Sequence, residues 1–268
     1  MQLPAMSTLL LDKHPDGLAI LTLNRPEVHN AFDDALIADM TAALKEIDAD
    51  AAVRVLVLSA NGKSFSAGAD LNWMRRMASY TEEENLKDAA ALAALMSTLN
   101  GLSKPTVARV HGPAYGGGVG LVACCDIAVA SHDATFALSE ARLGIIPAVI
   151  SPYVIAAIGE RMARRYFLTA ERFSAAEAYR IGLLHELVPG EEELDESIEE
   201  FVAALFAAGP VAQHESKRLI AAVANRPVTA AVIRDTARRI ARVRASPEGR
   251  EGIAAFLQKR KPTWAEKS

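Results

Sequence analysis

The chain has 268 residues, 51% hydrophobic and 23% charged, with a formal net charge of -4 at pH 7. That suffices for one large buried core, and the acidic balance leaves no general basic field to gather nucleic acid. Its two cysteines, Cys124 and Cys125, are adjacent, which disfavours a structural disulfide, offers no metal-ligand spacing and fits a reducing cytoplasm.

Residues 1–8 lack the basic-then-apolar pattern of a secretory leader. The longest uncharged run, residues 143–159, holds Pro147 and Pro152 and is short for a membrane span, so no membrane partner is expected. Residues 18–24 read as a strand that Arg25-Pro26 ends. Residues 30–50 read as an amphipathic helix with Leu36, Met40, Leu44 and Ile47 on one face, and residues 53–58 as a buried strand closed by Asn61-Gly62.

A loop of small residues follows, Lys63-Ser64-Phe65-Ser66-Ala67-Gly68-Ala69-Asp70-Leu71. Trp73, Met74 and Met77 come next at near-helical spacing. They read as ordinary core or, if the loop holds a ligand, as walls for its apolar part. Thr81 and Glu84 have the spacing of a capping box, ahead of a long helix to about Leu102. Lys104-Pro105 leads into a strand over residues 106–110 and then into Gly116-Gly117-Gly118, before an uncharged run, residues 119–125, that reads as a buried helix.

Glycines at a strand-to-helix turn let backbone approach a ligand closely, with N–H groups and the helix dipole favouring negative charge. Residues 126–130 and 135–138 read as strands, and Glu140 stands just past the second. Ser174 and Glu177 form a further capping box ahead of residues 178–184. Beyond a polar link at residues 190–193 the chain reads as helical, with breaks at Gly209-Pro210 and Arg226-Pro227 and a last helix over residues 247–259. The arginines clustered near its end read as solvated helix faces. The class is α/β.

Two small-residue loops after strands, plus a carboxylate after a third, suggest one chemistry. Paired backbone N–H groups can hold a carbonyl oxygen that becomes an enolate, while a carboxylate moves a proton at the adjacent carbon. That needs neither metal nor covalent nucleophile. No Walker A, dinucleotide or nucleophile-elbow pattern is present.

The segments Phe65-Ser66-Ala67-Gly68-Ala69-Asp70-Leu71, Gly116-Gly117-Gly118, Cys125-Asp126-Ile127 and Phe136-Ala137-Leu138-Ser139-Glu140 together resemble the enoyl-CoA hydratase/isomerase (crotonase) family. The likeness extends from Leu23-Asn24-Arg25-Pro26 to residues 256–262. Residues 69–74 and Ile150-Ser151-Pro152-Tyr153 are similar to its methylglutaconyl-CoA hydratase branch, which acts in leucine breakdown. The resemblance implies a ββα spiral core over residues 1–195, a helical trimerisation region over residues 196–268, and a homotrimer or homohexamer. It implies a coenzyme A thioester substrate and no separate cofactor. Glu140 would be the acid/base, with the amides of Ala69 and Gly117 as oxyanion hole. Ser66, Ala67, Gly68, Ala69, Asp70, Leu71, Trp73, Met74, Gly116, Gly117 and Gly120 would lie along the substrate, with Phe256 and Lys259 as further CoA contacts.

One position departs from the pattern. Many family hydratases carry two glutamates, and the first falls here on Gly120. With Glu140 alone, hydration requires that the proton taken from water be the one delivered to the α-carbon, or that a second group help. Asp70, Asp126, Tyr115 and His111 are candidates, each also readable as structural. Gly120 would leave space for a water or a bulkier acyl group. A double-bond isomerase needs only one base, and a non-catalytic acyl-CoA-binding protein needs none. A methylglutaconyl group would bring its own carboxylate, for which Arg75, Arg76 and Arg142 are the nearby arginines, each otherwise a surface residue.

Overall fold

Period-two alternation along residues 55–60 buries both faces of one strand, and the fold is built outward from it. The computed structural model describes residues 8–265; the leader reading falls largely on residues 1–7, outside them. In chain order the elements are β1 (Leu9–Lys13), β2 (Leu18–Leu23), α1 (Asp34–Ala49), β3 (Val55–Ala60), α2 (Leu71–Met77), α3 (Glu82–Asn100), β4 (Thr106–Val110), β5 (Ala114–Tyr115), α4 (Gly117–Cys124), β6 (Ile127–Ser131), β7 (Thr135–Ala137) and α5 (Ser151–Thr169). They continue with β8 (Arg172–Ser174), α6 (Ala175–Arg180), β9 (Glu186–Val188), α7 (Glu191–Ala207), α8 (Pro210–Val223), α9 (Ala230–Ala245) and α10 (Pro247–Leu257).

The large sheet has the order β1-β2-β3-β4-β6-β9, antiparallel at β1–β2 and parallel thereafter. A small sheet has the order β5-β7-β8. From β4 onward the chain alternates between them: β4, β6 and β9 extend the large sheet, β5, β7 and β8 the small one, with α4, α5 and α6 interposed. This is the α/β architecture of repeated ββα turns. Leu56 and Leu58 join the main core with residues of α1, α3 and α4, whereas Val55 and Val57 cluster with Leu194, Ile198, Val202 and Phe206 of α7.

Several boundaries differ from the sequence reading. The first helix begins at Asp34, not residue 30, because His29 and Asn30 have left-handed backbone (φ 54° and 52°) and Asp33 caps it, accepting from Leu36 N at 2.8 Å. Buried Asn30 works as a clamp instead, donating to Asn61 O and Ser64 O and accepting from Arg25 N, each at 2.8 Å. The second strand runs to Ala60, where β2 still pairs with it. The capping box at Thr81 forms in both directions. At Ser174 only half forms: its hydroxyl accepts from Glu177 N, but the Glu177 carboxylate binds Tyr166 and Arg180. That helix therefore starts at Ala175 and ends at Arg180, ahead of Gly182 at φ 88°.

Residue 195, the expected boundary of the helical region, lies within α7. α8, α9 and α10 lie against the core through few anchors. Lys217 of α8 pairs with Asp126 at 2.7 Å, and Glu248 of α10 accepts from Val211 N and Ala212 N at 3.0 and 2.8 Å, capping α8. Arg54 donates to the carbonyls of Trp264, Phe206 and Ala208 at 3.0, 2.9 and 3.1 Å, with its guanidinium 5.0 Å over the Phe206 ring. Arg54→Ala should therefore lower the unfolding free energy by about 2–3 kcal/mol in urea titrations, because three carbonyls lose a charged donor. An unchanged midpoint would contradict this anchoring.

Candidate active site

Parallel pairing of β3 with β4 puts their C-terminal ends side by side, so the loops that follow them are neighbours. Backbone bonds then zip these loops together: Ser66 N donates to Pro113 O at 3.1 Å and Tyr115 N to Ser66 O at 2.8 Å. The small sheet brings in the third piece. β5 pairs with β7, and Gly116 N donates to Ala137 O at 2.9 Å, so Glu140, three residues past Ala137, arrives beside Gly116.

The closest approach is made by two glycines. Gly68 has φ +87° and a Cβ there would lie 3.0 Å from Tyr115 O. Gly116 has φ +50° and a Cβ there would lie 3.2 Å from Oε1 of Glu140. Both positions thus require glycine for backbone conformation and for space. Two N–H groups are left over at this junction. Gly68 O and Asp70 N both bond Phe32, at 2.6 and 2.8 Å, and the intervening N–H of Ala69 has no acceptor among the described residues. Gly117 is the first residue of α4, so its N–H has no acceptor within the helix. Ala69 is exposed and Gly117 half-buried, so a ligand can reach both.

Glu140 is half-buried, and its Oε2 is inaccessible with no hydrogen-bond partner among the described residues. Burial pushes its carboxyl above the ordinary 4.5; its own backbone N–H opposes this only in part. A carboxyl held unpaired beside two free N–H groups can take up and release a proton at an atom bound there.

The other candidates are committed elsewhere. Asp70 caps α2, accepting from Asn72 N at 2.7 Å and Trp73 N at 3.2 Å, and pairs with Arg25 at 3.3 Å. Burial alone would raise its carboxyl; those donors outweigh it and hold it below the ordinary range. Asp126 accepts from Thr106 N, the Thr106 hydroxyl and Lys217. The Tyr115 hydroxyl bonds Thr135 at 3.0 Å. His111 bonds Gly62 O at 2.8 Å and lines a groove of about 1060 Å³ beneath α7, which none of the residues expected along the substrate lines.

Within the first loop, fully buried Ser66 turns inward, donating to Asn30 O at 2.9 Å, so it shapes the loop. Ala67 is half-buried, while Leu71 is 70% exposed. Trp73 belongs to the core, its indole N–H donating to Asp88 at 3.0 Å, and Met74 is half-buried beside it. Phe256 is exposed, as is Lys259.

The space expected beside Gly120 is not empty. A Cβ built there would overlap Cγ2 of Ile150 and lie 3.0 Å from its Cβ and 3.2 Å from Met96 Cε. From the sequence Ile150 figures only in the family-like segment Ile150-Ser151-Pro152-Tyr153, with no packing role assigned to it. Phe32, whose ring lies 2.8 Å from where a Cβ on Gly117 would stand, is not singled out there at all. Both contacts join residues far apart in the chain, and no local pattern signals them.

Burial of Glu140 ties stability to pH. Its folded value lies above 4.5, so the native state holds the proton more tightly than the unfolded chain. The stability it contributes is present at low pH and is lost as pH rises through the folded value. Glu140→Gln should therefore match the parent in thermal melts near pH 4 and exceed it increasingly at higher pH. A difference that does not change with pH would contradict this.

A family model described as enoyl-CoA hydratase/isomerase matches residues 13–267. The chain is 32% identical to the 2,3-dehydroadipyl-CoA hydratase of Escherichia coli over 96% of this chain and 98% of that one. It is 31% identical to the crotonyl-CoA hydratase of Syntrophomonas wolfei, over 98% and 100%. Among solved structures, an enoyl-CoA hydratase from Shewanella pealeana is similar with a TM-score of 0.93 at 44% identity, over 97% of each chain. Matched over nearly its whole length, with relatives above 30% identity from end to end, this chain belongs to the enoyl-CoA hydratase/isomerase (crotonase) family.

Proposed function

We propose that this enzyme adds water reversibly to a conjugated enoyl-CoA thioester, with Glu140 as its single acid/base. The observation that carries this is the half-buried Glu140 carboxyl, its buried Oε2 without a partner among the described residues, near the free N–H groups of Ala69 and Gly117. Those two groups would hold the thioester oxygen. The Glu140 carboxylate takes a proton from a water molecule as the water oxygen bonds to the β-carbon. The π electrons move toward the carbonyl, placing enolate charge on the held oxygen. Glu140 then returns the same proton to the α-carbon. The chemistry uses no metal, and coenzyme A enters only as part of the substrate. Loss of one oxyanion donor in such a site costs about 10²–10³ in turnover.

For the acyl group we infer 3-methylglutaconyl or a related chain with a second carboxylate. Arg75 bonds Asn72 at 2.6 Å and Arg76 pairs with Asp34 at 2.5 Å. Arg142, two residues past Glu140, is exposed and has no side-chain partner among the described residues, which makes it the arginine free to take a carboxylate. The Escherichia coli relative is likewise named for an acyl group with a second carboxylate. The exposed Ile220, Ile233, Ile240 and Ile253 of α8, α9 and α10 support an assembly role for the region after residue 195, as a homotrimer or homohexamer, which sedimentation tests directly. Two adjacent buried thiols suit a cytoplasmic setting, and no described helix is long and apolar enough to cross a membrane.

The second reading is a double-bond isomerase, favoured by the filled space at Gly120 and the absence of a second free carboxylate there. A non-catalytic binder would have no use for an unpaired buried carboxyl, which costs stability.

Product analysis by mass separates these readings, using 3-methylglutaconyl-CoA, crotonyl-CoA and a 3-enoyl-CoA. We expect a gain of one water, fastest on 3-methylglutaconyl-CoA, and a loss of about two or more decades of turnover in Glu140→Gln with substrate binding retained. An unchanged mass with a moved double bond would assign the isomerase; no conversion of any substrate would assign the binder.

A further inference from the structure

Glu140 and Ile150 bound one stretch of chain, one end of which rests on the cap of α4 and the other on α4 itself. At one end the Glu140 carboxyl lies against Gly116; at the other Ile150, 3% exposed, fills the notch at Gly120 one helical turn along. Between them residues 141–146 and 148 are exposed. Within the strap Ile145 N donates to Glu140 O and Gly144 N to Ala141 O at 3.2 Å, and Ala148 N to Ile146 O at 2.8 Å; its far end is also tied to the start of α5, where Ala148 O accepts from Ser151 N at 3.2 Å and from the Ser151 hydroxyl at 2.7 Å. Partial burial of Val149 and burial of Pro147 add to its far end, but only Ile150 meets α4 at a glycine. A segment whose backbone is hydrogen-bonded to the rest of the chain only near its ends moves when either end is displaced.

We propose that Ile150, seated against Gly120, is a positioning residue for Glu140: it fixes the far end of the strap and so sets where the carboxyl stands relative to the Ala69 and Gly117 N–H groups. The proposal rests on reading Glu140 as the acid/base. It also explains Gly120. A side chain at 120 and Ile150 compete for one volume, so a second carboxylate on α4 and an Ile150-anchored strap are alternative solutions.

Steady-state kinetics on crotonyl-CoA against pH, with melting curves, test this in three variants. Gly120→Ala forces Ile150 out and should lower kcat/KM about 10- to 100-fold through kcat, with KM little changed. The acid limb of kcat/KM should move down, because a looser strap lets water reach Glu140. Ile150→Leu in the same chain moves the branch off Cβ, removes the overlapping methyl and should restore most of the loss. Ile150→Ala introduces no overlap, so it decides the matter even if Gly120→Ala does not fold; it should show the same shift of the acid limb.

Wild-type kcat and pH profile in Ile150→Ala, or a folded Gly120→Ala that Ile150→Leu leaves equally impaired, would overturn the proposal. Glu140→Gln is run alongside. Full activity there would overturn the acid/base reading itself, whereas an inactive Gln variant with an indifferent Ile150→Ala overturns only the positioning role.

Discussion

Everything at the site depends on two turns of backbone meeting with no side chain between them. Gly68 and Gly116 face one another, each with positive φ, and a Cβ on Gly116 would stand 4.0 Å from the Gly68 Cα. With the turns this close Ser66 O accepts from Tyr115 N, while the Ala69 and Gly117 amides have no acceptor among the described residues. The large sheet supplies the adjacency through β3 and β4. The small sheet, only two to three residues deep, supplies the third component by pairing β5 with β7. A structure that looks like two sheets sharing a core is, at the site, a way of delivering three chain segments to one point.

The electrostatics follow the same economy. Asp33, Asp70, Asp126 and Glu177 each face an arginine or lysine. Among the described residues Glu140 pairs with none, and its Oε2 has no hydrogen-bond partner. Unpaired burial of a carboxyl costs free energy, and natural folds keep such groups where chemistry needs them. The contrast between paired and unpaired carboxylates, more than any single distance, distinguishes Glu140 from Asp70. Gly120 and Ile150 complete the picture from the apolar side, since the wall where a second carboxylate would stand is hydrocarbon.

Much of this was legible in the sequence for local reasons. The capping box at Thr81, the breaks at Gly209-Pro210 and Arg226-Pro227 and the buried strand, read over 53–58 and found at 55–60, all declare themselves within a few residues. The small-residue loops and Glu140 were legible as a family pattern. What was not legible is what depends on contacts across the chain. β5, β8 and β9 are too short to carry a period. The first half of α5 hides in an uncharged run that holds two prolines, and Gly159 interrupts the helix with φ 74°. Asn30 reads as a helix start until its three hydrogen bonds reveal a clamp. Gly120 reads as an empty place until the packing of Ile150 fills it. In each case the deciding partner is remote in sequence.

The central claim is that the Ala69 and Gly117 N–H groups polarise the thioester carbonyl while Glu140 alone moves the proton. Isotope-edited difference infrared spectroscopy tests it most directly. Crotonyl-CoA labelled with heavy carbon at the thioester carbonyl would be bound to Glu140→Gln, in which turnover is suppressed. The carbonyl stretch should fall to lower frequency on binding, because both hydrogen bonds form without the carboxylate. A bound carbonyl band at its position in free solution would contradict it.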